Sequence, residues 1–251
     1  MSIPKIIHYC WFGRNPLTPE TLKYIESWKK YCPDYAIKEW NEDNFDINCN
    51  EYVKQAYEGK RYAFVSDYVR LYALYNDGGI YMDTDVEVKK PLDIFLEHRA
   101  FIGCEIGGMC LLGTGTIGAE KNNEWVGKLL SGYNGINFIL PNGKFDFTPN
   151  TMRTTKLTNE EYSWNCENKY QVLKDGIYVY PHEYFCANDW RTGEVEVTEN
   201  TYTIHHFVGS WSTKAERRSR KRRDFMKKYI TKLIGEIRYE KLNEFRKKIM
   251  E

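Results

Sequence analysis

Asp83, Asp85 and Glu87 stand at every second position of GGIYMDTDVEV, residues 78–88. Read as one strand, in which side chains alternate between faces, this spacing sets three carboxylates on one side, roughly 6–7 Å apart. Like charges so close raise one another's pKa unless a cation answers them. Carboxylate oxygens suit hard divalent ions such as Mg2+ or Mn2+, which keep coordination positions for substrate phosphates. A nucleotide diphosphate is the natural occupant of such a site. A DxD met alone reads equally well as a solvated edge strand whose charges only keep it soluble.

A second pair lies just upstream. Asp67 and Arg70 are three residues apart in RYAFVSDYVRLYALYN (61–76), a run free of Gly and Pro with an apolar stripe through Phe64, Tyr68, Leu71, Tyr72 and Tyr75. That stripe predicts a helix, on which Asp67 and Arg70 share a face. A plain surface salt bridge would be worth less than about 1 kcal/mol. Because Gly78 and Gly79 end the helix and lead directly into the acidic strand, the pair is held close to it, and an arginine there suits phosphates or sugar hydroxyls.

The elements that must position these groups are legible over the first ninety residues. IPKIIHYC (3–10) reads as a buried strand, about 19–30 as a helix, YAIKEW (35–40) as a second strand, then the helix 61–76 and the acidic strand. Strand, helix, strand, helix, strand argues for an α/β domain with a largely parallel sheet, whose ligands gather at the carboxyl ends of strands. Beyond Pro91 the pattern weakens. Residues 103–118 are glycine-rich, 122–131 suggest a short helix, 132–170 look loop-like, and IYVY (177–180) and TYTIHHFV (201–208) return to strand character.

Composition bounds the rest. With 251 residues, 42% hydrophobic and 28% charged, the chain suits one globular domain with an appendage. Seven cysteines without a CxxC pair suit reduced thiols, and MSIPKIIHYCWFG lacks the long apolar run of a signal peptide, so a cytoplasmic protein is expected. Residues 214–251 carry 15 Lys/Arg against 6 Asp/Glu, leaving 21 against 29 in residues 1–213. The domain reading is therefore a body, 1–213, and a basic tail, 214–251. Met226, Ile230, Leu233 and Ile237 give the tail an amphipathic helical pattern suited to an anionic membrane, or to packing on the body. Sparse stacking aromatics disfavour nucleic acid there.

The run AFVSDYVRLYALYNDGGIYMDTD (63–85), with IPKIIHYCWFG before it, resembles the DxD sugar-binding signature of family 32 glycosyltransferases. That family includes initiation mannosyltransferases and capsular-polysaccharide enzymes, and the clostridial glucosylating toxins carry a related signature. The resemblance implies an A-type glycosyltransferase fold, Rossmann-like with a mostly parallel central sheet, followed here by the basic helical tail. It implies a retaining hexosyltransferase of surface polysaccharide synthesis, using Mn2+ or Mg2+ and a UDP-sugar in preference to a GDP-sugar. The acceptor would be a glycan or lipid-linked oligosaccharide at the inner face of the plasma membrane.

Residue by residue, the resemblance assigns His8 and Trp11 of the opening strand to the donor, Trp11 stacking on its base. Asp67 and Arg70 would hold sugar and ribose hydroxyls, Asp83 would contact the donor and assist the metal, and Asp85 would ligate it. In IHHFVGSW (204–211) two adjacent histidines face opposite ways, so at most one readily enters a site. His206 is taken as the further metal ligand, with Ser210 and Trp211 near the diphosphate. Asn150 and Asp189 are candidate acceptor or sugar contacts, and Glu87 is left as solvated surface. The competing class is a non-catalytic, metal-dependent glycan- or phosphate-binding module tethered by its tail, which would be indifferent to nucleotide.

Overall fold

The computed structural model describes residues 2–106 and 110–209. Ser210, Trp211 and the basic tail lie outside the described residues. Met1–Trp190 and Glu194–Val208 form one compact unit. It opens with β1 (Ile6–Cys10), α1 (Pro19–Tyr31) and β2 (Ala36–Trp40). Thr18 starts α1 by accepting from the Thr21 amide, with Pro19 in the first turn, and Lys29 and Lys30 lie against the negative end of its dipole. Then come α2 (Glu51–Glu58), capped by the Asn50 side chain, and α3 (Tyr62–Asp77). In α3, Tyr68 and Leu71 are buried while Phe64, Tyr72 and Tyr75 pack against the core, as the stripe predicts.

The chain continues through β3 (Gly79–Met82), β4 (Val86–Val88), β5 (Ala100–Glu105), β6 (Leu111–Ala119), α4 (Glu124–Ser131), α5 (Asn150–Tyr162), β7 (Gln171–Leu173), β8 (Ile177–Tyr180), α6 (His182–Phe185) and β9 (Thr203–His205). Seven strands form the main sheet in the order β2-β1-β3-β6-β5-β8-β7. The pairings of β1 with β2 and β3, and of β5 with β8, are parallel, whereas β6 and β7 pair antiparallel with their neighbours. Five of the seven strands thus run one way, and the mostly parallel α/β sheet expected from the sequence is present. Hydrophobic residues cover both faces: Tyr81 points into a core with α2, α3, α4 and α5, while Ile80 and Met82 point into another with α1 and β4. No described helix is long and apolar enough to cross a membrane.

Two expectations need correction, and one stretch left unassigned is resolved. The acidic segment is not one strand: β3 ends at Met82, a turn closes through the Val86 amide on the Asp83 carbonyl (3.0 Å), and β4 leaves to pair with β9 in a separate two-stranded sheet. The glycine-rich stretch 103–118, to which the sequence assigned no element, supplies the end of β5 and most of β6. Glycine weakens a strand in isolation, yet β6 is buried between β3 and β5, and neighbouring side chains fill the space its glycines leave: a Cβ at Gly118 would lie 2.2 Å from the Phe101 ring. Finally, the loop-like stretch 132–170 contains α5, whose weak apolar patterning buries Thr154, Thr158 and Tyr162 instead of an aliphatic stripe.

Candidate active site

The site is built at the carboxyl end of β3. Helix α3 ends on Gly78 and Gly79, both at positive φ (69° and 114°), which lets the chain reverse straight into the strand. A Cβ at Gly79 would lie 2.6 Å from the Ile6 carbonyl and 3.0 Å from His8 Nε2. His8 is fully buried and is used up structurally: its Nδ1 accepts from Trp40 Nε1 (3.1 Å), so its Nε2–H donates to the Gly78 carbonyl (2.7 Å). This corrects the assignment of His8 to the donor; the ring fixes the turn that aims β3.

Asp83 and Asp85 flank the turn after β3. The Asp83 amide bonds the Gly115 carbonyl (2.9 Å), anchoring the turn to β6, and Tyr81 OH donates to Asp83 Oδ1 (2.9 Å). Asp85 locks the chain after β9, its Oδ2 accepting from the Val208 amide (2.7 Å) and its carbonyl from the His206 amide (2.9 Å). Register then decides the histidine. Val86 is paired with His205, which turns inward with Nε2 3.1 Å from Asp85 Oδ1 and 3.8 Å from Asp83 Oδ2.

His206, the ligand expected from the sequence, faces the other way, bonding Glu87 Oε2 (3.0 Å) and stacking on Tyr24 at 4.8 Å. The correction is therefore to His205, and Glu87, on β4 beyond the turn, is partnered by His206 and Lys89. Among the described residues, one group of three metal-binding side chains has its ligand atoms all within 4.8 Å of one another: Asp83, Asp85 and His205. Two carboxylates and an imidazole form a donor set that fits Mn2+ and, with less preference for the imidazole, Mg2+. Two further features hold His205 in place. Phe207, at a positive φ of 51°, lays its ring on the imidazole at 4.0 Å, and Gly115 leaves the space the ring occupies, since a Cβ there would lie 2.7 Å from Nδ1.

Beside this trio the Asp67 and Arg70 pair is buried, not a surface bridge. Arg70 Nη2 lies 3.0 Å from Asp67 Oδ1 and 3.3 Å from Asp83 Oδ1, and its Nη1 donates to the Thr114 carbonyl (2.6 Å). Asn150, at the start of α5, donates to Asp67 Oδ1 (2.7 Å) and accepts from Thr114 Oγ1 (3.0 Å), so it joins the same network. Trp11 sits half-buried just past β1, its indole N–H on the Asn15 carbonyl (2.6 Å). Asp189 is buried in the loop after α6, its amide on the Glu194 carbonyl. One acid was not anticipated: Glu105, at the end of β5, lines a small cleft with His205, Gly113 and Gly115. It carried no motif, and only the pairing of β5 with β6 brings it there.

The charges are strongly coupled. Burial opposes ionisation of Arg70, but Asp83, Tyr81 and Asp67 outweigh it and hold the guanidinium charged. Burial lifts Asp67 to about 6, against the pull of Arg70, and also raises Glu105. Desolvation alone would discharge His205; Asp85, followed by Asp83 and Glu105, pushes its pKa up to about 9. Asp85 is correspondingly held below the usual carboxylate range, burial being outweighed by His205. His205 is thus a cation beside the two aspartates, 3.1 Å from Asp85 and 3.8 Å from Asp83.

Known proteins carry this pattern. Residues 18–102 match the family described as the glycosyltransferase sugar-binding region containing a DXD motif. Inositol phosphoceramide mannosyltransferase 3 of Schizosaccharomyces pombe is 31% identical over 116 residues, covering 40% of this chain and 29% of that protein. Inositol phosphoceramide mannosyltransferase 1 of the same yeast is 28% identical over 108 residues, 40% of this chain and 34% of its own. The chain therefore spans about a third of the length of these relatives. A solved structure of the PaToxG glycosyltransferase superposes on 63% of this chain and 70% of its own, with 20% identity and a TM-score of 0.47. Asp67, Arg70, Asp83 and Asp85 all lie within the stretch that matches this family, and the similarity extends over residues 18–102.

Proposed function

We propose that the protein is a metal-dependent, retaining hexosyltransferase that moves a sugar from a nucleotide donor, UDP-linked in preference to GDP-linked, to a glycan or lipid-linked acceptor in surface polysaccharide synthesis. The observation that carries the reading is the convergence of Asp83, Asp85 and His205 beside the buried Asp67 and Arg70. Asp83, Asp85 and His205 would hold Mn2+ or Mg2+, which when bound supplies positive charge against the diphosphate as it leaves. Arg70 keeps a fixed guanidinium next to the same carboxylates, where it offsets their charge and leaves the site able to accept an anionic donor. Asp67 and Asn150, bonded to each other, present an acceptor and a donor group for sugar hydroxyls, and Trp11 offers a ring for the base. For a retaining transfer no protein nucleophile is assigned, because the departing phosphate can take the acceptor's proton.

The mannosyltransferase relatives act, by name, on inositol phosphoceramide, which supports a hexose donor and a lipid-borne acceptor. The body, 1–213, is read as the catalytic domain and 214–251 as a basic segment for an anionic membrane, on the cytoplasmic face. The test is Mn2+-supported hydrolysis of a panel of UDP- and GDP-sugars without acceptor, with Asp85→Asn as control. Slow hydrolysis of one donor, lost in the variant, is expected. Nucleotide binding that is indifferent to both Mn2+ and Asp85→Asn would refute the reading.

A further inference from the structure

Exposed large apolar side chains gather in one place next to the sugar end of the site. Between α4 and the first turn of α5, Ile139 (39% exposed), Leu140 (37%), Phe147 (56%) and, in α5 itself, Met152 (45%) all face solvent within fourteen residues. They belong to a tongue. Ile139 bridges Phe145, the Leu140 amide donates to the Lys144 carbonyl (2.8 Å), and Pro141-Asn142-Gly143 make the tip, with Gly143 at a φ of +77° and no atom within 4 Å of the Cβ position. The base is firm. Phe138 is fully buried and stacks on Phe145, Ile139 N–H donates to Gln55 Oε1 (2.8 Å), and Phe147 meets Phe64 of α3 at 5.7 Å.

We propose that this tongue is a membrane-docking element, its exposed Ile139, Leu140 and Phe147 entering the headgroup boundary of an anionic bilayer. Clustered apolar side chains on an exterior mark an interaction surface, and the charges beside them bear on the partner. Between Ile139 and Phe145 the only charged side chain is the exposed Lys144. Arg61 lies over the rings of Phe145 (5.5 Å) and Phe147 (5.7 Å); of the carboxylates by the tongue, Asp146 accepts from Arg153 (2.5 Å) and the Thr148 amide (2.9 Å), and Glu51, at the base, accepts from Gln55 (2.8 Å). Exposed apolar side chains flanked by Lys144 and Arg61, with Asp146 paired to Arg153, are features of a segment that lies in a lipid interface, cations toward the phosphates. The tongue is also continuous with the site, because Asn150, three residues beyond Phe147, bonds Asp67. This deepens the lipid-borne acceptor of the proposed function, but vesicle binding is read without turnover, so either inference can fail alone.

The experiment is co-sedimentation of the full chain with phosphatidylcholine–phosphatidylserine vesicles at about 0.5 M NaCl, which screens the attraction of the basic tail. Wild type should pellet with vesicles, and Leu140→Glu/Phe147→Glu should lower partitioning ~10-fold or more, since each side chain withdrawn from the interface removes a large apolar area. Mn2+-dependent UDP binding should be unchanged. Equal pelleting of variant and wild type, or no pelleting of wild type at that salt, would overturn the proposal. So would sedimentation of wild type without vesicles, which would assign the tip to a second copy of the chain. Should the charged variant melt at a lower temperature, Leu140→Ser/Phe147→Ser makes the same comparison without buried charge.

Discussion

The proton on His205 couples metal binding to pH, and the coupling has two opposite signatures. In the metal-free protein the imidazolium is held up to about 9 by Asp85 and Asp83. A metal is ligated by the neutral ring, so binding must release that proton. Below the raised value, each unit of pH should strengthen apparent Mn2+ affinity about tenfold, or ~100-fold between about pH 6.5 and 8.5. Stability of the apo-protein runs the other way. Because the folded pKa is raised above the ordinary value of 6.5, the ion pair's contribution is fully present below that value and is lost as pH rises through about 9. Its ceiling is about 3 kcal/mol, and the depressed pKa of Asp85 describes the same pair, so the two are not added. Thermal melts in chelator and in Mn2+ across this range give both slopes in one experiment. Tm in chelator should fall with rising pH while the shift produced by Mn2+ grows. His205→Gln should flatten both trends and His206→Gln neither. A pH-independent Mn2+ shift, or loss of metal binding in His206→Gln alone, would refute the reasoning.

Two other substitutions test the frame around the metal trio. In Gly115→Ala the new Cβ would fall 2.7 Å from His205 Nδ1; displacing the ring should weaken Mn2+ binding by ~10- to 100-fold, as loss of ligand support does, and an unchanged titration would show that the ring has room. Arg70→Met strands Asp67 and Asp83 without their shared cation, which should cost about 3–5 kcal/mol in denaturant unfolding. A loss below about 1 kcal/mol would reduce the pair to the surface bridge considered from sequence.

What the sequence determined by itself was whatever depends on local spacing. The three-residue offset puts Asp67 and Arg70 on one helix face, and the double glycine ends α3 and leads directly into the segment that carries the DxD. These are short-range consequences of helix period and glycine conformation, and they carry the family resemblance. What only the tertiary structure decided was every choice that depends on register or on a distant partner. Of two adjacent histidines with opposite faces, the pairing of Val86 with His205 selects His205 and hands His206 to Glu87. His8 looked like part of a donor site until Trp40 and Gly78 were found to consume both its nitrogens. The glycines of β6 gave no strand signal, because nothing local reveals that Phe101 and His205 occupy the space they leave. Three evenly spaced carboxylates suggested one straight strand, but the Asp83 carbonyl closes a turn, and that turn brings the two aspartates together while sending Glu87 to another sheet. Side-chain spacing is written in the chain, whereas which spaced groups meet is set by strand pairing across more than a hundred residues.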